Sequence, residues 1–110
     1  MIEGCSKTNA NIENTGFGYT LSVIGGKHKI IILFWLFKKK ILRYNELKRC
    51  IGSISFKSLT NALKELEAHE IIIRKEYPQI PPKVEYSLST KGETLIPILE
   101  SICDWGEVHR

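Results

Sequence analysis

The chain has 110 residues, 43% hydrophobic and 25% charged, which suits one folded domain with one core, and its net charge of +4 favours anionic partners. Cys5, Cys50 and Cys103 are odd in number and widely spaced, with no C-x-x-C pair, which argues against a disulfide framework or a zinc site and for two partly buried thiols and one in an N-terminal arm. The longest apolar run, Ile30–Phe37, falls far short of the roughly twenty residues that cross a bilayer, and Met1–Gly4 opens no secretory signal, so no membrane partner and a cytoplasmic address are expected.

Residues 1–14 are polar and rich in Asn and read as a loose arm, leaving 15–108 as a single domain. Thr15–Ile24 predicts a short first helix that stops at Gly25-Gly26. Lys27–Phe37 is apolar on every side, so periodicity does not separate strand from helix. Its length and the following Lys38-Lys39-Lys40, suited to the negative end of a helix dipole, favour a helix at the centre of the core. Arg43–Ile51 predicts a third helix with Tyr44, Leu47 and Ile51 on one face, broken by Gly52-Ser53. Ser55 is placed to cap a fourth helix, about 55–69, in which Leu59, Ala62, Leu63 and Leu66 form an amphipathic stripe.

Ile71–Tyr77 is β-branched and Val84–Leu88 alternates with period two, so the two predict a hairpin whose proline-rich tip stays out of the ladder. Thr90 and Glu93 are spaced as a capping box for a last helix to about Val108, with Pro97 expected to kink it. The fold class is therefore α+β, mainly α: a winged helix-turn-helix with extra N- and C-terminal helices.

Two short helices joined by a tight turn can place the second in a major groove about 12 Å wide. Opposite the leucine stripe stand Lys57, Asn61 and Lys64, flanked by Ser58 and Thr60, with Ser55 at the start of the helix. Lys neutralises phosphate, Asn pairs bidentately with adenine, and short hydroxyls permit close approach. A solvated helix face carries the same residue types, so the wing matters: about 77–84, it is stiff and holds Lys83 at its tip, with Arg74 and Lys75 in its strands, aimed at the backbone or minor groove. Arg43 completes the expected DNA-contacting set. Phe56, at the edge of the stripe, is expected to pack on the preceding helix.

No nucleophile–base pair, carboxylate dyad, phosphate loop or metal cluster stands out, so neither catalysis nor a cofactor is expected. The competing reading is a winged-helix module that binds protein rather than DNA. Its outward face on the fourth helix would be acidic or apolar, whereas the face here is basic and polar.

The segments VIGGK at 23–27, RYNELKR at 43–49, ISFKSLT at 54–60, LKELE at 63–67, PPKVEYSL at 81–88 and DWG at 104–106 resemble the HxlR family of transcription regulators. The resemblance implies a homodimer built from the first and last helices, bound to a pseudo-palindromic duplex operator in the cytoplasm of a bacterium or archaeon. Leu21, Leu95, Ile98, Leu99, Ile102 and Trp105 are the expected dimer contacts. Together with Val108, those of the last helix give more apolar surface than so small a domain covers, unless the helix folds back across its own domain. Three positions depart from the family pattern. Thr15-Gly16 stands where many members carry Cys-Pro, His28 replaces the usual tryptophan, and Glu70 replaces the glycine that usually ends the recognition helix. The first departure removes the cysteine with which some members sense oxidants or electrophiles, and Cys5 does not inherit its position. His28, with no ligand spacing to His69 or His109, reads as a surface or capping residue.

Overall fold

The structure, a computed structural model, describes residues 11–110. A 3₁₀ turn, Ile12–Asn14, leads into α1 (Gly16–Ile24), α2 (Lys29–Lys39), β1 (Ile41–Arg43), α3 (Tyr44–Ile51) and α4 (Phe56–Ala68). The wing strands β2 (Ile72–Tyr77) and β3 (Lys83–Leu88) follow, then α5 (Thr90–Glu93) and α6 (Ile96–His109). The expected arm lies mostly outside the described residues, but its end is ordered: Thr15 caps α1, accepting from Gly18 N at 3.0 Å and donating to Ile12 O at 2.7 Å.

Helix α2 runs through the core as its apolar surface requires, with Ile32, Leu33 and Leu36 fully buried. Against it pack Leu47 of α3, the buried stripe Leu59, Ala62, Leu63 and Leu66 of α4, and Tyr86 of β3. Gly52, with φ of 84°, turns the chain between α3 and α4, a conformation open to glycine without a Cβ penalty. Ile54 is buried beneath that turn and Ser55 Oγ accepts from Ser58 N at 3.0 Å, so the expected cap forms.

Helix α4 ends in a Schellman motif. Ile71 N donates to Leu66 O and Glu70 N to Glu67 O, both at 2.9 Å, while Leu66 and Ile71 are buried. Glu70 occupies the left-handed position with φ of 60°, a conformation that a side chain disfavours.

The sheet has the order β1-β3-β2 and is antiparallel throughout. Strand β1 was not expected from sequence; it pairs Leu42 with Tyr86, and at three residues it is too short to show a period. The hairpin runs in register from Ile72 opposite Leu88 to Tyr77 opposite Lys83.

The C-terminal region corrects the expectation of one kinked helix. Ser89, not Thr90, caps α5, accepting from Gly92 N at 2.9 Å. Gly92 sits where a Cβ would lie 2.1 Å from Ile71 O, so α5 crosses the start of the wing at backbone contact. The chain then starts afresh, and Pro97 falls in the first turn of α6, where its missing N–H leaves no intrahelical bond unmade.

Candidate nucleic-acid interface

Lys57, Asn61 and Lys64 project from the exposed face of α4, opposite its buried stripe, as the 100° rotation per residue demands. Ser55 is exposed but committed to its cap, and Ser58 is half-buried. Thr60 is less free than expected: it is half-buried, with Oγ1 3.0 Å from the Tyr44 hydroxyl, which also donates to Phe56 O at 3.1 Å. Phe56 does pack on α3, stacking parallel to Tyr44 at 6.0 Å with the Lys48 ammonium 4.7 Å from its ring centroid. Even so, the residue remains 61% exposed. Arg43 is exposed at the N-terminal end of α3, beside Asn45, Arg49 and Pro82 around a shallow cleft of about 480 Å³.

The wing differs from its expected form. Its tip, Pro78–Pro82, carries no cation and presents a fully exposed Ile80. Lys83 lies below the tip, 3.4 Å from Glu85 and 4.6 Å from the centroid of the Tyr77 ring. Tyr77 in turn donates to Glu85 at 2.8 Å, and that hydrogen bond, followed by the hydrogen bond and charge of Lys83, holds the Glu85 carboxyl below its ordinary range. Arg74 on β2 pairs with Glu76, and that hydrogen bond raises its already high pKa. Arg74 and Tyr86 face each other across the strand pair, a placement that only the register reveals.

The recognition helix is tied to the rest of the domain by lysines. Lys29 Nζ lies 2.7 Å from Glu65 and donates to Ser22 O at 3.1 Å, so one ammonium joins α1, α2 and α4. Its hydrogen bond and then its charge lower the Glu65 pKa. Lys91 donates to His69 O at 3.0 Å and to the Tyr19 hydroxyl at 3.2 Å, linking the far end of α4 to α1.

Leu21, Ile98, Ile102 and Trp105 are exposed, the last three at i, i+4, i+7 along α6. Of the other expected dimer contacts, Leu99 is buried in the chain's own core and Leu95 is half-buried against it. Ile12, Phe17, Tyr19 and Val108 join the exposed apolar set. Cys103 is exposed rather than partly buried, Cys50 is half-buried, and Cys5 lies outside the described residues. His28 stands at the N-cap of α2, without a side-chain cap bond, and no cluster of metal-ligating groups occurs among the described residues. Nor is any single helix among them long and apolar enough to cross a membrane.

The chain is 58% identical over 96 residues to the uncharacterized HTH-type transcriptional regulator BH0655 of Halalkalibacterium halodurans, covering 87% of this chain and 85% of that one. It is 54% identical over 106 residues to the putative regulatory protein MalR of Fusobacterium mortiferum, covering 96% and 95%. Among solved structures it is similar to the redox regulator HypR in its oxidized form, with 47% identity, a TM-score of 0.79, and coverage of 84% of this chain and 94% of that one. The family model described as HxlR-like helix-turn-helix matches residues 23–110. With its helix-turn-helix, wing and basic outward face, the chain belongs to the HxlR-like helix-turn-helix family and is a DNA-binding transcription regulator, not an enzyme.

Proposed function

We propose that the protein acts as a homodimer on a pseudo-palindromic operator, with α4 in the major groove and the wing on the flanking backbone or minor groove. The exposed face of Lys57, Asn61 and Lys64 on a helix anchored by its buried leucines carries this reading. Asn61 lies in the N-terminal half of the helix, where base edges are reached, and is the residue suited to bidentate contact with adenine. Lys57, Lys64 and Arg43 serve phosphates, as does Lys83 once its partner Glu85 yields; Ser55, Ser58 and Thr60 set how closely the helix approaches.

The second copy docks on the exposed apolar stripe of α6 together with Leu21, Phe17 and Tyr19 of α1. Isologous pairing of that surface gives the two-fold axis that a pseudo-palindrome matches. The absence of a membrane-length helix among the described residues is compatible with a cytoplasmic regulator that joins the nucleoid when bound. The redox role in HypR's name does not transfer by position, because Thr15, where the family pattern has cysteine, is occupied in capping α1.

Selection of bound fragments from the source genome, followed by salt titrations on the selected site and on random duplex, tests the proposal. The expected result is one enriched two-fold site and a steep log–log salt slope on both duplexes. Absence of duplex binding at low salt would favour a protein-binding winged helix instead.

A further inference from the structure

A helix in the major groove and a wing in the minor groove straddle one sugar–phosphate strand, because that strand is the wall between the two grooves. In this fold the strand has to pass along the valley between α4 and the β2–β3 hairpin. The valley is not flat: it holds a cleft of about 350 Å³ lined by Tyr44, Thr60, Lys64, Glu67, Arg74 and Tyr86. Its lining sets two cations against one carboxylate, and Glu76, paired with Arg74 just outside the lining, balances the second charge until a phosphate displaces it.

We infer that this cleft is a seat for one operator phosphate, held by Arg74 from the wing and Lys64 from the recognition helix. The inference rests on the groove assignment proposed above. Arg74 has five donors in a planar fork, and its pair with Glu76 is exposed, so a phosphate can recruit the guanidinium at little cost. Tyr86, 7% exposed and opposite Arg74 in the ladder, supports the fork from below. Tyr44 donates its one proton to Phe56 O, so the Thr60 hydroxyl donates to Tyr44 and orders the wall of the cleft rather than binding the phosphate. Since Lys64 and Arg74 come from different elements, one phosphate bridging them fixes the spacing between helix and wing. Glu67, at the rim, opposes the same charge.

The test is a cycle between Arg74→Ala and duplexes in which single phosphates are replaced by neutral methylphosphonates. Wild type is expected to lose roughly tenfold at one phosphate per half-site, and Arg74→Ala to lose little more at that position than it has already lost. Arg74→Ala should weaken operator and random duplex alike and flatten the salt slope by about one per subunit. Glu67→Gln should tighten both, a gain that a merely structural role for the cleft does not supply. If wild type binds duplex but Arg74→Ala leaves affinity and slope unchanged, the seat is refuted while the groove assignment stands. Failure of wild type to bind any duplex at low salt sinks both.

Discussion

Truncation of Trp105 is the sharpest probe of the proposed dimer. The residue is 67% exposed in the isolated chain, although His109 stacks on its ring at 4.4 Å, and it lies one turn from the half-exposed Ile102. An aromatic side chain buries about 150–250 Å², so covering the open part of Trp105 removes roughly 100–170 Å² from water. At about 25 cal/mol per Å² that contributes roughly 2.5–4 kcal/mol per copy, and a two-fold interface counts each substitution twice. After allowance for the retained methyl group and incomplete burial, Trp105→Ala should weaken the dimer by about 4 kcal/mol, on the order of a thousandfold in Kd. Sedimentation equilibrium of wild type and variant over the micromolar range measures this directly. Ile102→Lys, which sets a charge in the same stripe, should shift the equilibrium the same way. Neither residue belongs to the buried core, so both monomers should keep their helical spectrum. A soluble wild-type monomer at micromolar concentration, or a Trp105→Ala dimer of unchanged strength, refutes the reasoning.

Three further outcomes follow from the geometry. Glu70→Gly should raise stability by about 1 kcal/mol in denaturant titrations, since glycine enters the left-handed Schellman position without a Cβ clash; a loss would show that the Glu70 side chain contributes something its backbone angle does not reveal. The Lys29–Glu65 pair lowers the folded-state pKa of Glu65, so its contribution is complete above the unfolded-state value and disappears as pH falls through the lower folded one; Glu65→Gln should flatten that acid-side fall in Tm, and an unaltered pH profile contradicts the pair's role. Mild peroxide should change duplex affinity little, because Thr15 replaces the usual cysteine. Loss of binding that thiol restores and Cys5→Ser abolishes would show that the arm senses oxidant.

Where a single helix or strand determined its own pattern, the sequence was legible. The stripe Leu59, Ala62, Leu63 and Leu66 is buried at the spacing that predicted it, and Ser55 caps as its hydroxyl and the break before it required. Misreadings arose where two elements decide together. Pro97 reads the same inside a helix as in a first turn; what separates them is the crossing of Gly92 over Ile71, a contact between distant residues. Ile98 and Leu99 are adjacent apolar residues on α6, and only the packed domain shows that one faces solvent and the other the core. Arg74 was legible as a cation of the wing, but its place opposite Tyr86 and beside the recognition helix depends on register and packing, which no local pattern encodes. Lys83 is the exception, since Glu85 two residues on falls on the same face of a strand and its pairing was open to inference from sequence.

The central claim, that the outward face of α4 reads sequence rather than only gripping charge, comes down to Asn61. Its affinity contribution is measured by titrating wild type and Asn61→Ala against operator and random duplex at matched salt. A base-reading asparagine should cost about 1–3 kcal/mol on the operator when truncated, and leave random duplex nearly unchanged. An equal loss on both duplexes, or none on either, contradicts the account.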